Sequence, residues 1–126
     1  MGRRTAAAVM AAAMLVTVGT AVPAVAGDAE KIRQGGCSGS ADWKLKVKTD
    51  DGRLEVEGEI DSNISGQTWR WRITHNGSVS ARGRKTTSGP SGSFDVERRM
   101  ANLAGTDTFR LRARHNGQVC RGKIRW

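Results

Sequence analysis

The side chains best suited to chemistry in this 126-residue chain are cations, all but one of them arginines, that recur at every second position in three short segments. Guanidinium groups form paired hydrogen bonds with phosphate and carboxylate oxygens, so closely spaced arginines can bind anions. Because strand side chains alternate between two faces, this spacing would place the cations of each segment on one face. The candidate anion-binding residues are Arg70, Arg72, Arg110, Arg112, Arg114, Arg121, Lys123 and Arg125.

Three glutamates and two histidines are the other candidates for chemistry. Glu55, Glu57 and Glu59 would share one strand face about 6.5–7 Å apart, a spacing that overlaps the separation of glycosidase carboxylates. The alternating lysines of the preceding segment explain them as ion-pair partners, and a flat sheet face offers no cleft. His75 and His115 each precede an Asn-Gly turn, at strand ends expected at opposite poles. We therefore predict no catalytic residue, no metal site and no cofactor.

The first 26 residues have the organisation of a secretory signal peptide. Arg3 and Arg4 precede an apolar run over residues 6–18, and Ala-Val-Ala follows at 24–26. Glycine, threonine and proline dilute the second half of this stretch, which disfavours the alternative of a membrane anchor. Cleavage would remove two arginines and no acid, leaving 100 residues with 19 basic and 12 acidic side chains, a net charge of +7. We expect an extracellular protein with no transmembrane segment in its mature chain.

Two cysteines are present, Cys37 and Cys120. In an exported protein an even cysteine count indicates a disulfide rather than free thiols. The predicted bond closes a loop of about 84 residues, for which the loop-entropy model gives an upper limit of about 4–5 kcal/mol of stabilisation.

From Asp42 onward, apolar residues alternate with charged ones, and turn residues interrupt the pattern every 8 to 12 positions. Seven short strands with one apolar face predict an all-β, antiparallel sandwich of the immunoglobulin-like or fibronectin type. The chain is long enough for only one such domain, which we place at 42–126. The glycine-containing segment 27–41 is expected to be a flexible leader held by Cys37.

Two Asn-Gly pairs indicate hairpins. Around Asn116-Gly117, a two-residue turn puts all apolar side chains on one face, with Arg112 opposite Arg121 and Arg110 opposite Lys123. The same turn at Asn76-Gly77 would place Val79 on the arginine side. Either a three-residue loop, 76–78, corrects the register, or strand 78–87 crosses to the other sheet.

The expected sheet composition concentrates the charge excess on one surface. In a seven-stranded sandwich, the third, sixth and seventh strands form one sheet, which would expose all eight candidate cations and no acid. The other sheet would balance five cations against five acids. This asymmetry indicates an anion-binding face. The alternative is a solvated basic surface that serves solubility without a specific ligand.

Several short motifs between the two cysteines are Asp-Trp-Lys-Leu at 42–45, Ile-x-His-Asn-Gly at 73–77, Ser-Gly-Ser-Phe-x-Val-x-Arg at 91–98 and Gly-Thr-Asp-Thr at 105–108. Over residues 37–126 this pattern resembles small secreted two-cysteine proteins of actinobacteria, a group without an assigned activity. The resemblance implies export and carries over no site.

Together these features predict a secreted, monomeric, non-enzymatic β-sandwich that docks an anionic cell-wall polymer or an acidic surface, without specific nucleic-acid binding. One alternative is an inhibitor of an extracellular enzyme that acts through the loop 88–93 or the strand 69–71. The other is a structural envelope protein with no specific ligand.

Overall fold

The computed structural model describes residues 29–126, and the predicted signal peptide, 1–26, lies outside these described residues. The described chain consists of eight β-strands and contains no helix. The strands are β1 (Glu30–Gly36), β2 (Asp42–Asp50), β3 (Arg53–Asp61), β4 (Thr68–His75), β5 (Ser78–Thr86), β6 (Ser93–Ala101), β7 (Thr108–His115) and β8 (Gln118–Arg125).

The strands form two four-stranded antiparallel sheets, and the predicted all-β sandwich is confirmed. One sheet has the order β1-β2-β3-β6 and is called the mixed-charge sheet below. The other has the order β5-β4-β7-β8 and is called the arginine sheet. All three predicted arginine-bearing strands therefore lie side by side in one sheet. Strand β5 pairs with β4, so the segment predicted as 78–87 does not cross to the other sheet.

One strand was missed by sequence analysis. Seven residues of the predicted flexible leader form β1, which pairs with β2 from Glu30↔Lys48 to Gly36↔Asp42. An edge strand of this kind is mostly exposed, so it needs no apolar alternation, and none exists in its sequence. At Gly35 an added Cβ would lie 3.1 Å from the Trp43 ring, so this glycine lets the indole pack against the strand.

The core lies between the inner faces of the two sheets. Trp69 and Trp71 are buried as their strand phase predicts, and Trp43 is half-buried. An added Cβ on Gly122 would come within 2.6 Å of the Trp43 ring, so the indole of β2 rests directly on the backbone of β8. The largest fully buried side chains are Trp69, Phe109, Leu45, Leu54, Ile60, Ile73, Leu111 and Ile124.

The predicted disulfide is present and joins the two sheets. Cys37 follows β1 at the edge of the mixed-charge sheet, and Cys120 lies in β8 at the edge of the arginine sheet, with 4.2 Å between their Cα atoms. Lys31 adds a second tie between the same edges because its Nζ donates a hydrogen bond of 2.8 Å to the carbonyl oxygen of Arg125.

The two hairpins differ in their regularity. The β7–β8 register is the predicted one, with Arg112↔Arg121 and Arg110↔Lys123. The β4–β5 hairpin keeps a two-residue turn, so neither of the two alternatives, the three-residue loop 76–78 or a strand that crosses to the other sheet, is correct. A β-bulge between Ile73 and Thr74 restores the register instead. Val79 consequently lies opposite Thr74 on the arginine side, where 49% of its surface is exposed.

Candidate anion-binding surface

The outer surface of the arginine sheet brings all eight predicted cations together and adds two more. Arg82 and Arg84 of β5 lie directly opposite Arg72 and Arg70 of β4. Sequence analysis omitted them because the sheet membership of β5 was open and its exposed edge sequence shows no apolar alternation. We call the complete set the arginine face. It comprises Arg70, Arg72, Arg82, Arg84, Arg110, Arg112, Arg114, Arg121, Lys123 and Arg125.

Strand register arranges these cations in rows across the sheet. The central row contains one arginine from each of the four strands. In order it is Arg82, Arg72, Arg112 and Arg121. Neighbouring strands lie about 4.8 Å apart, so the four Cα atoms span about 14 Å. A flanking row contributes Arg84, Arg70 and Arg114, and the other contributes Arg110 and Lys123.

Every cation of the arginine face is unpaired within the described part of the chain: none makes an ion pair or a side-chain hydrogen bond there. Six pairs of like charges stand directly opposite each other across the strands. These pairs are Arg70–Arg84, Arg72–Arg82, Arg70–Arg114, Arg72–Arg112, Arg110–Lys123 and Arg112–Arg121. Opposed like charges destabilise a sheet by a few tenths of a kcal/mol to about 1 kcal/mol per pair.

The mixed-charge sheet differs because its charges of both signs lie side by side, although β3 and β6 also oppose two pairs of acids, Glu57–Glu97 and Glu59–Asp95. Its lysines face its glutamates, as the sequence predicted, in the pairs Lys44–Glu59 (3.6 Å), Lys46–Glu57 (3.2 Å) and Lys48–Glu55 (3.2 Å). The hydrogen bond to Glu55 raises the pKa of Lys48. Arg99 donates from Nε and Nη2 to Asp50 Oδ2 at 2.9 and 2.6 Å, and that contact raises the pKa of Arg99.

Arg112 is the residue of the arginine face whose pKa shows the effect of neighbouring charges. Desolvation lowers the pKa of its guanidinium, and the nearby charges of Arg72, Arg121 and Arg114 lower it further. Its Nε is shielded from solvent and has no hydrogen-bond partner among residues 29–126. A bound anion would relieve the repulsion and accept the unused hydrogen bond.

Two shallow grooves run over this face and share the side chains of Arg72 and Arg112. The first has a volume of about 490 Å³ and extends towards β5, where Arg82 and Arg84 line it. The second has a volume of about 420 Å³ and extends towards β8. Its polar and charged lining residues are Arg72, Thr74, Arg110, Arg112, Arg121 and Lys123.

Comparison of the chain with protein-family models, with curated proteins and with solved structures found no match. Function must therefore be inferred from the chain's own residues. In the described range, no helix has the length and apolar character needed to cross a membrane.

A buried carboxylate–imidazole pair was missed by sequence analysis. Asp107 is fully buried, and its Oδ1 lies 2.6 Å from Nε2 of His75. The same oxygen accepts a hydrogen bond of 3.3 Å from the backbone N–H of Leu103. The pair thus fastens the β6–β7 connection to the end of β4. No local pattern distinguishes Asp107 from an exposed turn acid, since its burial depends on a histidine 32 residues away.

The two histidines occupy opposite ends of the arginine sheet, as predicted. His115 donates from Nδ1 to the carbonyl oxygen of Thr68 at 2.7 Å, near the start of β4, whereas His75 is the last residue of that strand. Across residues 29–126, no cluster of three or more His, Cys, Asp or Glu side chains could hold a metal ion.

Proposed function

We propose that this protein is exported and binds a linear anionic polymer of the cell envelope through the arginine face, without catalysing a reaction. The observation that carries the proposal is a face of ten cations, nine of them aligned in rows by the strand register, that lack acidic partners in the described chain. Nine of the ten are arginines, whose forked donors suit oxyanions better than lysine does. The disulfide supports export, because such bonds persist in oxidising compartments.

The contrast between the two sheets supports a bound partner over a surface that is basic only for solubility. Solubility requires net charge, which cations scattered over the molecule would also provide. On the mixed-charge sheet, β3 and β6 also oppose acids, Glu57–Glu97 and Glu59–Asp95, but Glu57 and Glu59 have lysine partners on β2. The opposed cations of the arginine sheet have no partner of opposite charge in the described chain. A polyanion lying on that sheet would turn each repulsive pair into a shared binding site.

The surroundings of the face favour a polymer over a lipid bilayer. Proteins that lie on membranes insert tryptophan, phenylalanine or leucine into the interface. Trp69 and Trp71 are instead buried beneath the arginine sheet. Aliphatic side chains on the outer phase, Val79 and Val119, lie at opposite edge strands. Shallow grooves between rows of cations can hold an extended charged chain.

A salt titration tests the proposal with the unmodified protein. Binding to immobilised poly(glycerol phosphate), measured by surface plasmon resonance, should weaken about a hundredfold between 50 and 200 mM salt if about five phosphates are neutralised. The steep dependence arises because each neutralised phosphate releases a counterion.

A response that barely changes with salt would contradict docking through the arginine face and favour the inhibitor alternative. Of the two segments considered for inhibition, the loop 88–93 projects exposed residues. The strand 69–71 cannot present its two tryptophans, because both are buried. Absence of binding at any salt concentration would favour a structural protein with no polymer ligand.

A further inference from the structure

We infer that the groove between the central row and the Arg110–Lys123 row is a phosphate subsite that makes the arginine face selective for phosphodiester polymers over polycarboxylates. This inference rests on the proposed function, because it names the chemistry of the polymer bound there.

The groove forms between two successive cross-strand pairs of β4 and β7. Thr74 of β4 stands opposite Arg110 of β7, and Arg72 stands opposite Arg112 one step further along the same strands. Arg121 and Lys123 of β8 complete the lining. A ligand oxygen placed here would lie among five cationic side chains and one hydroxyl, with no carboxylate in the lining.

Two hydrogen-bonding atoms of this lining are shielded from solvent and unpartnered within the described chain. They are Oγ1 of Thr74 and Nε of Arg112. More than nine in ten buried polar groups in proteins have a hydrogen-bond partner, so two exceptions in one groove need an explanation. Both atoms carry a hydrogen that an anionic oxygen can accept. The exposed side chains of Arg110, Arg121 and Lys123 can rotate to admit such an oxygen.

The arrangement of donors favours phosphate over carboxylate. A carboxylate is planar and pairs both oxygens with one guanidinium fork. A phosphodiester directs its oxygens tetrahedrally, so a single group can accept hydrogen bonds from donors on two neighbouring strands. Thr74 and Arg112 are such donors, because they belong to β4 and β7, which are paired strands about 4.8 Å apart.

The test compares Thr74→Val with the matched control Thr68→Val. Thr68 lies on the same strand and the same outer phase, but its Oγ1 is engaged with Thr86 Oγ1 at 3.0 Å. Neither variant changes the charge. We expect Thr74→Val to weaken binding to poly(glycerol phosphate) about three- to tenfold, the value of one hydrogen bond. Binding to polygalacturonate, a polycarboxylate, and the salt dependence should stay unchanged. Thr68→Val should leave both polymers unaffected.

Two further measurements separate binding from folding. The melting temperature of Thr74→Val should equal or exceed that of the wild type, because the change removes an unsatisfied buried hydroxyl. Thr74→Ser restores a hydroxyl and should recover the affinity for poly(glycerol phosphate), even if the valine variant is destabilised.

Full phosphate affinity in Thr74→Val, equal losses for both polymers, or no recovery in Thr74→Ser would overturn the phosphate subsite. The proposed function would survive each of those results, provided that wild-type protein binds a polyanion with steep salt dependence. If wild-type protein binds neither polymer, the proposed function fails together with the subsite.

Discussion

The double variant Arg112→Glu/Arg121→Glu should bind poly(glycerol phosphate) at least about a hundredfold more weakly than the wild type. These two residues face each other in the central row, and each lost charge-assisted contact corresponds to about a tenfold loss of affinity. Repulsion between the new glutamates and the polymer adds to that loss. Surface plasmon resonance at low salt, supported by co-sedimentation with cell-wall fractions, measures the effect.

The matched control for this charge reversal is Arg33→Glu/Arg53→Glu. It changes the net charge by the same amount, but both residues are exposed on strands of the mixed-charge sheet. The control should retain nearly all of the wild-type affinity. Equal losses of affinity in the two variants would mean that only net charge matters. If both variants bound the polymer and co-sedimented with cell-wall fractions as well as the wild type does, the docking proposal would be contradicted.

The charge-reversed protein is also expected to fold. Glutamate at position 112 would stand opposite Arg72, so that repulsive pair would become attractive, while positions 112 and 121 would remain one like-charge pair, as in the wild type. Thermal unfolding should therefore show a melting temperature no lower than that of the wild type, which assigns the loss of binding to the face itself.

Removal of the disulfide in Cys37→Ala/Cys120→Ala should lower the free energy of unfolding by about 2–5 kcal/mol. The bond spans 83 positions, and closing so long a loop restricts the unfolded chain strongly. Small domains have a total stability of about 5–15 kcal/mol, so this loss would be a large fraction of the total.

Urea unfolding monitored by tryptophan fluorescence measures this loss, with the chemically reduced wild type as the control. Reduced wild type and double variant should unfold at similar urea concentrations, since both lack the bond. A loss below about 1 kcal/mol would mean that contacts between β1 and β8, such as that of Lys31 with the Arg125 carbonyl, already hold the two edges together.

The parts of the fold that follow from local alternation could be predicted from the sequence. The β7–β8 hairpin is the clearest case. Asn116 and Gly117 both adopt positive φ angles, 45° and 82°, as a two-residue hairpin turn requires. That turn alone fixed the opposition of Arg112 and Arg121. The ion pairs of β2 with β3 followed in the same way from complementary alternation.

The features that were missed depend on the environment of a strand or on distant contacts. Strand β1 lies at an edge and buries little, so its sequence carries no period of two. The bulge beside Thr74 allows the hairpin to keep a two-residue turn while Ile73 stays buried. Alternation in the sequence does not show that a bulge reconciles these two requirements. The burial of Asp107 arises from contacts made in the folded chain, including the one with His75, which lies 32 residues away.

The candidate site was predicted in composition but not in its full extent. All eight cations named from alternation lie on the arginine face. The two additions from β5 required knowledge of which strand pairs with β4. The lack of a hydrogen-bond partner for the Thr74 hydroxyl could not be predicted from the sequence, because the partners of a side chain depend on three-dimensional packing.

The most direct measurement of the central claim is a nuclear magnetic resonance titration of isotope-labelled protein with poly(glycerol phosphate). We predict that shift changes concentrate on backbone amides of β4, β5, β7 and β8 and on arginine Nε–H signals, that of Arg112 among the largest. The amides of β2 and β3 should change little. Shifts confined to the loop 88–93 or to the mixed-charge sheet, or spread evenly over the domain, would contradict binding through the arginine face.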